Sequence, residues 1–197
     1  MSVEDIVSGF FMAEIEIKIL GIDVEKVSER LASLGARPLF SGIVRCRHFD
    51  LPGETLRKSH CLFRLRRWEA EPGFSNKFEI CYKGPKQIID GCKVREEIET
   101  TVADADQFET MMMKLGYHVT LNNDKRRRSY ELNGAHFDLD EYPTAPAYME
   151  IEAPDREGID RAVKAVGLEQ YEQSTETANE LFARLWPEID FDHLKLP

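Results

Sequence analysis

The chain has 197 residues, of which 42% are hydrophobic and 31% are charged, a composition typical of one folded domain spanning residues 1–197. Its formal net charge of −10 disfavours nucleic-acid partners, and no apolar run approaches the roughly 20 residues of a membrane helix. Residues 1–11 lack the basic start of a secretory signal, and the four cysteines are widely spaced. We therefore expect a cytoplasmic protein with reduced thiols and no membrane partner.

Four segments carry apolar residues at the spacing of an α-helix. In the first of them, Val24, Val27 and Leu31 recur on one side, and Asp23 can cap the first turn. The same features predict helices over 23–34, 104–115, 156–166 and 174–186.

The rest of the chain alternates with the period of two that is typical of β-strands. It predicts eight strands, over 13–20, 43–50, 61–68, 77–83, 93–101, 125–132, 135–141 and 147–152. The pair Asn133-Gly134 favours a tight hairpin between two of them. Strands 13–20 and 93–101 each lead into a predicted helix, which suggests two similar halves that close one barrel.

Seven of the eight predicted strands have one ionic face and one mostly apolar face, because side chains alternate along a strand. In the first strand, Glu16 and Lys18 share one face while Ile17 and Ile19 share the other. The charges are also sorted by sign. The acidic pairs are Glu14/Glu16, Glu97/Glu99, Asp138/Asp140 and Glu150/Glu152, and the basic pairs are Arg64/Arg66 and Lys125/Arg127.

Two interpretations of this pattern are open. In the first, every ionic face points to solvent and the apolar faces form an ordinary core. In the second, the apolar faces point outward, partly under the helices, and the ionic faces line the inside of a barrel. Sorting by sign favours the second. Because burying an unpaired ion costs several kcal/mol, such a lumen must hold water, ion pairs or a charged ligand. A triphosphate with divalent cations is one ligand that suits both signs.

Seven segments, in order along the chain, resemble motifs of CYTH domains, the triphosphate tunnel metalloenzymes. The segments are 14–18 (EIEIK), 63–66 (FRLR), 82–85 (YKGP), 95–99 (REEIE), 125–130 (KRRRSY), 139–140 (LD) and 150–152 (EIE). The first matches the Glu-x-Glu-x-Lys signature that opens the domain. The resemblance covers about residues 12–186, nearly the whole chain.

The resemblance implies an α+β fold in which a closed eight-stranded antiparallel β-barrel forms a tunnel, with helices packed on its outside. It also implies two magnesium or manganese ions and chemistry on a triphosphate. The loop 141–146 departs from the family because it is longer and richer in proline than the usual link. This departure leaves open whether Asp138 or Asp140 is the late aspartate of the family, and we favour Asp140.

The resemblance also implies roles for the ionic residues. The expected metal ligands are carboxylates, which suit hard divalent cations: Glu14, Glu16, Asp140, Glu150 and Glu152. The residues expected to bind phosphate oxygens are Arg64, Arg66, Lys83, Arg95, Lys125 and Arg127. Catalytic roles are expected for Lys18, Arg66 and Lys83, with Lys18 binding phosphate or orienting the nucleophile. For Glu97 and Glu99, metal binding and the orientation of nearby arginines remain equal alternatives.

Two further groups have expected places. Arg126 and Arg128 fall on the opposite face of their strand and are expected at the surface. Four aromatic residues near the lumen are expected to be packing residues rather than stacking platforms for a base: Phe49, Trp68, Phe74 and Tyr148.

The family includes class IV adenylate cyclases, thiamine triphosphatases and inorganic triphosphatases. We expect first a class IV cyclase-like reaction, in which the 3′-hydroxyl of ATP attacks the α-phosphorus and pyrophosphate leaves. The alternatives are a triphosphatase acting on inorganic triphosphate, thiamine triphosphate or a nucleoside triphosphate, and a non-catalytic module that binds polyphosphate or nucleotides. The protein is expected to be a monomer or a homodimer.

Overall fold

The computed structural model describes residues 13–196, with the backbone alone at residues 13 and 14. The expectations for residues 1–11 and for the side chain of Glu14 lie outside this description. The strands are β1 (Ala13–Leu20), β2 (Arg37–Asp50), β3 (Leu62–Ala70), β4 (Lys77–Lys83), β5 (Gln87–Ile89), β6 (Cys92–Thr101), β7 (His118–Leu132), β8 (Ala135–Glu141), β9 (Tyr148–Ala153) and β10 (Gln173–Ser174). The helices are α1 (Val24–Ser33), α2 (Thr55–Lys58), α3 (Ala105–Lys114), α4 (Arg156–Val166), α5 (Ala178–Leu185) and a 3-10 helix (Phe191–His193).

Eight strands form a closed antiparallel ring in the order β1-β9-β8-β7-β2-β3-β4-β6, and β6 pairs with β1 to close it. The short strand β5 extends β6, and β10 pairs with β1. At the point of closure, β1 pairs with β6 through Ala13–Glu16 and with β9 through Ile15–Leu20. The predicted eight-stranded barrel is confirmed.

The barrel has two similar halves. In one half β1 leads through α1 into β2, and in the other β6 leads through α3 into β7. The corresponding strands of the two halves pair with each other, β1 with β6 and β2 with β7. The sequence interpretation of two strand–helix starts that close one barrel agrees with this arrangement.

Three differences from the predicted elements have physical causes. Strands β2 and β7 begin earlier than predicted, at Arg37 and His118, because they pair with each other along almost their whole length. Helix α5 begins later than predicted. Residues Gln173 and Ser174 pair with β1, and Thr177 then caps the helix by accepting a hydrogen bond from the Glu180 amide.

The apolar core lies outside the barrel wall. Ile17 and Ile19 of β1 pack with Leu31 of α1 and Ile159 of α4. Helix α3 covers another part of the wall, where Met112 packs in the same cluster as Phe49 and Leu65. These contacts use one face of each strand, so the ionic faces point into the barrel.

Within residues 13–196, no helix combines the length and apolar character that crossing a membrane requires.

Candidate active site

The inward faces of the barrel strands enclose a cavity of about 360 Å³, which we call the lumen. The residues predicted from the sequence that line it are Glu16, Lys18, Arg64, Arg66, Lys83, Arg95, Lys125, Arg127, Glu150 and Glu152. The apolar neighbours of these residues in sequence face the outer core. The interpretation of a barrel with an ionic interior is therefore confirmed, and the interpretation in which every ionic face is solvated at the surface is wrong.

One wall of the lumen, formed by β1 and β9, carries carboxylates joined by a buried lysine. The Nζ atom of Lys18 lies 3.0 Å from Oε1 of Glu16 and 3.0 Å from Oε1 of Glu150. Lys93 of β6 also contacts Glu16. Burial by itself would raise the pKa of Glu16, but Lys18 and Lys93 lower it to about 2. Glu16 is therefore ionised at neutral pH.

The same wall has a donor set that fits a hard divalent cation. Glu16 and Glu152 are directly opposite each other in the β1–β9 ladder, and Glu150 lies two residues along β9 on the same face. Carboxylate oxygens are the ligands that magnesium and manganese prefer. Burial by itself would lower the pKa of Lys18, but Glu150 and Glu16 raise it above its ordinary value. The ammonium group of Lys18 therefore stays charged.

The two candidate aspartates of β8 occupy different positions. Asp138 lines the lumen and accepts a hydrogen bond from Ser129 and one from Arg127. Asp140 lies on the same inward face but is fully buried beneath Lys125 and Arg127, with Oδ2 2.6 Å from Nζ of Lys125 and Oδ1 2.6 Å from Nε of Arg127. Asp140 thus orients the two cations of β7. Metal binding by Asp140 remains a prediction.

Another part of the lumen wall, formed by β3, β4 and β6, carries arginines together with carboxylates. Nε of Arg66 lies 2.6 Å from Oε1 of Glu79, and its Nη2 lies 2.5 Å from Oε1 of Glu99. Glu97 accepts hydrogen bonds from Lys83 and, at 3.4 Å, from Arg64. Glu97 and Glu99 therefore contact cations, and they also form a group with Cys81 whose possible ligand atoms lie within 4.8 Å of one another. Orientation of arginines and metal binding both remain predictions for these two carboxylates.

Arg95 is held in a different way, by backbone carbonyl groups. Its guanidinium donates to the oxygen of Gly84, to that of His60 at 3.0 Å and to that of Lys83 at 3.4 Å. Among the described residues, no carboxylate lies within ion-pair distance of it. Carbonyl dipoles orient Arg95 without neutralising its charge, so the charge remains available to an anion. Burial and the neighbouring Arg64 lower the pKa of Arg95.

Three buried donors of the lumen wall lack a hydrogen-bond partner within residues 13–196, namely Nε of Arg64, Nε1 of Trp68 and the hydroxyl group of Tyr148. Unpaired buried donors are uncommon and call for an explanation. Trp68 also lies under three cations, with Nζ of Lys77 4.3 Å and the guanidinium carbons of Arg66 and Arg127 5.0 Å and 6.0 Å from the ring centre. A ligand with oxygen acceptors in this lumen would suit such a wall.

Sequence reasoning missed several residues of the lumen and placed others correctly. Lys93 shares the period-two face of Arg95, so the signal for it was present in the sequence. Trp68 and Tyr148 were expected to be packing residues, and both line the lumen as well as packing. The exposed position of Arg126 agrees with the expectation, while Arg128 is half-buried and pairs with Glu25.

A second cavity, of about 240 Å³, adjoins the lumen, and we call it the side cavity. The residues that line both cavities are His48, Leu62, Arg95, Leu121, Thr177 and Asn179. The side cavity also contacts Leu56, Cys61 and Lys86, so its lining is partly apolar and less densely charged than the lumen. A molecule longer than a phosphate chain could extend from the lumen into this space.

Solved structures of other proteins share this fold. PH1819 from Pyrococcus horikoshii OT3 is 23% identical with a TM-score of 0.70, over 86% of this chain and 97% of that chain. A proposed adenylate cyclase from Vibrio parahaemolyticus is 17% identical with a TM-score of 0.70, over 86% and 97%. The proposed adenylyl cyclase HpAC1 from Hippeastrum is 18% identical with a TM-score of 0.63, over 86% and 94%. At these identities the likeness establishes the fold alone.

No curated protein matches the sequence. The family model of the CYTH domain matches residues 12–181 of the 197. This range contains every motif noted in the sequence and all the strands of the closed barrel. The chain therefore belongs to the CYTH domain family, the triphosphate tunnel metalloenzymes.

Proposed function

We propose that this protein is a divalent-metal-dependent enzyme that holds an organic triphosphate in the lumen, and that it converts ATP to cyclic AMP and pyrophosphate. One observation carries the proposal. A single cavity brings a cluster of carboxylates on β1 and β9 together with arginines and lysines on β3, β4, β6 and β7. Most of these cations are paired with carboxylates, but Arg95 has no carboxylate within ion-pair distance among the described residues. A phosphate chain with bound cations has the matching distribution of charge.

The basic residues bind and orient the phosphate chain. Arg95 and Arg64 present charge that carboxylates do not fully neutralise, so they are the primary contacts for phosphate oxygens. Arg66, Lys83, Lys125 and Arg127 complete the cationic set. Catalysis of phosphoryl chemistry depends mainly on positioning and on electrostatic stabilisation of the charge on the phosphates, which these residues supply.

The carboxylates Glu16, Glu150 and Glu152 would hold magnesium or manganese, with Glu14 as a further proposed ligand and Asp140 assisting. When bound there, the ions add positive charge that offsets charge developing on the phosphates. Lys18 lies between Glu16 and Glu150 with a raised pKa. Because it stays protonated, Lys18 acts as a donor that orients the nucleophile or a phosphate oxygen, and it does not act as a general base.

The side cavity favours an organic triphosphate over inorganic triphosphate, because it offers partly apolar space next to the cationic wall. In the cyclisation, the ribose 3′-hydroxyl attacks the α-phosphorus and the pyrophosphate leaves. Hydrolysis is the second candidate. It is supported by HpAC1, a proposed adenylyl cyclase of similar fold for which a dominant triphosphatase activity is described.

The test is to incubate the purified protein with ATP, thiamine triphosphate or tripolyphosphate, each with magnesium and with manganese. Cyclic AMP and pyrophosphate from ATP are the expected products. Release of phosphate or diphosphate without cyclic AMP would show that the enzyme hydrolyses the triphosphate and does not cyclise it. The control is the Glu16→Gln variant, which should be strongly impaired while remaining folded.

Folded protein that turns over none of the three compounds would contradict an enzymatic role. Equilibrium binding of the same compounds would then decide whether the lumen serves as a non-catalytic binding site. Absence of both turnover and binding would overturn the proposal altogether.

A further inference from the structure

His48 stands at the junction of the two cavities. It lies on the inward face of β2, in period-two register with Val44 and Cys46, and it lines both the lumen and the side cavity. Its direct neighbours in the sheet are Arg64 on β3 and Leu121 on β7. Its side chain is half-buried, and within residues 13–196 its ring makes no hydrogen bond. A bound phosphate chain that reaches the junction would meet this ring.

The charges that surround His48 are mostly positive. The cations that act on it come from three strands, with Arg64 and Arg66 on β3, Lys125 on β7 and Arg95 on β6. The other charged groups that line the side cavity are Asp50, Arg57, Lys86, Glu180 and Asp192. Asp50 lies on the same strand as His48, and its carboxylate accepts hydrogen bonds from the backbone amides of Leu51, Leu56 and Arg57.

Burial and then the repulsion of these cations lower the pKa of His48 to about 3. In the empty lumen its imidazole is therefore neutral at physiological pH. An imidazole surrounded by cations ordinarily stays neutral, because the cations disfavour its protonated form. A triphosphate changes this balance, because its negative oxygens offset the same cations that hold the ring neutral.

We propose that His48 is a further substrate-binding residue, which takes up a proton as the phosphate chain enters and then donates a hydrogen bond to it. This inference rests on the proposed function, since it requires a triphosphate in the lumen. The residue is neutral when the lumen is empty and positively charged when the lumen is filled. Proton uptake on binding makes the affinity for the phosphate chain rise as the pH falls.

The pH dependence of triphosphate binding that follows has a defined sign and size. One proton taken up strengthens binding by at most about tenfold for each pH unit. The ligand also titrates near neutral pH, and its own contribution is the same for the parent and for a variant that differs only at His48. The difference between the two proteins therefore isolates the residue.

The experiment is calorimetric titration of the full chain with tripolyphosphate at pH 6 and at pH 7, with EDTA present to prevent turnover. Two buffers that differ in ionisation enthalpy give the number of protons exchanged. The parent should take up more protons than His48→Gln, by up to one, and its affinity should gain up to about tenfold relative to that variant between pH 7 and pH 6. His193→Gln is the control, because His193 is exposed and pairs with Asp190 on the surface.

Equal proton uptake by the parent and by His48→Gln would overturn the inference while leaving triphosphate binding intact. Failure of the parent to bind tripolyphosphate would instead count against the proposed function itself. If His48→Gln does not fold, NMR titration of the His48 ring in the parent replaces it. The ring pKa should be higher with tripolyphosphate than without it, and an unchanged pKa would reject the proposal.

Discussion

The two faces of β1 are equally buried and chemically opposite. On the outer face, Ile17 and Ile19 are 2% and 0% exposed and pack under α1 and α4. On the inner face, Glu16 and Lys18 are 3% and 2% exposed and form ion pairs in the lumen. Burial alone therefore does not identify the core of this protein. One wall of β-strands separates a buried apolar layer from an ionic cavity.

The difference also separates stability from function. Burial of apolar side chains is the dominant stabilising term in folding, and here it is concentrated outside the barrel. Buried ion pairs rarely add net stability over apolar residues of similar volume. The charges of the lumen are therefore best understood as a binding surface that the outer layer holds in place. Substitutions on the two faces should separate these roles.

The largest effect is expected for Glu16→Gln on the inner face. Removing this charge takes away a proposed metal ligand and leaves Lys18 and Lys93 with one fewer anionic partner. We expect kcat/KM for the triphosphate to fall about a hundredfold or more, as for disturbed metal centres. Steady-state kinetics over a range of magnesium concentrations measures this, with circular dichroism to check the fold. Activity close to that of the parent would exclude Glu16 from the metal site.

Arg95→Lys tests the cationic wall. A lysine cannot bridge the three carbonyl oxygens that orient the guanidinium, and it cannot bind phosphate through two parallel hydrogen bonds. We expect kcat/KM to fall by about tenfold or more. Arg126→Lys is the matched control, because Arg126 is an exposed residue of the outer face of β7. Equal effects of the two substitutions would contradict the assignment.

The acid sensitivity of folding tests the ionic layer as a whole. Lysine and arginine neighbours hold the pKa of both Glu16 and Glu79 at about 2, against an ordinary value of 4.5, although burial opposes this. Because the folded pKa is lowered, this contribution to stability is complete above about pH 4.5 and is lost as the pH falls towards 2. Urea unfolding between pH 6 and pH 3 should show the free energy of unfolding fall by on the order of 3 kcal/mol.

Glu79→Gln sharpens that measurement, because Glu79 contacts Arg66 and Lys77 and is not a proposed metal ligand. The variant should lose less stability than the parent over the same acid range. A parent protein that keeps its full free energy of unfolding at pH 3 would show that these carboxylates are not ionised in ion pairs.

The smallest effect is expected on the outer face. Ile17→Val removes one buried methylene group and should lower the free energy of unfolding by about 1 kcal/mol. The KM for the triphosphate should not change, because Ile17 faces the outer core and not the lumen. A change in KM comparable to that of an inner-face variant would mean that the two layers are not independent.

Much of this architecture was accessible from the sequence because it depends on local alternation. The period of two placed Glu16, Lys18, Arg64 and Arg66 on the inward faces of their strands, and the order of motifs indicated the family. Strand ends and the start of α5 were less accessible. They depend on pairing between distant segments, such as Ser174 with Lys18.

The details of the site required the three-dimensional structure for a similar reason. Asp138 and Asp140 share one face of β8, yet only the first reaches the lumen, because Lys125 and Arg127 surround the second. No sequence pattern signals the carbonyl cluster around Arg95, since it is built from the backbone of two separate turns. The sequence did not indicate the surroundings of His48 either, because the cations near its ring come from other strands.

The split pairing of β1 has a consequence for how the protein acquires its site. Glu16 contacts Lys93, 77 positions later in the chain, and Ile15–Leu20 pairs with the still more distant strand β9. Such long sequence separations slow folding, because a large loop must close before the contacts form. During synthesis, β1 stays an open edge until β9 leaves the ribosome, and unpaired edges favour aggregation. Closure of the barrel is therefore a late event, and the binding cavity exists only once it is complete.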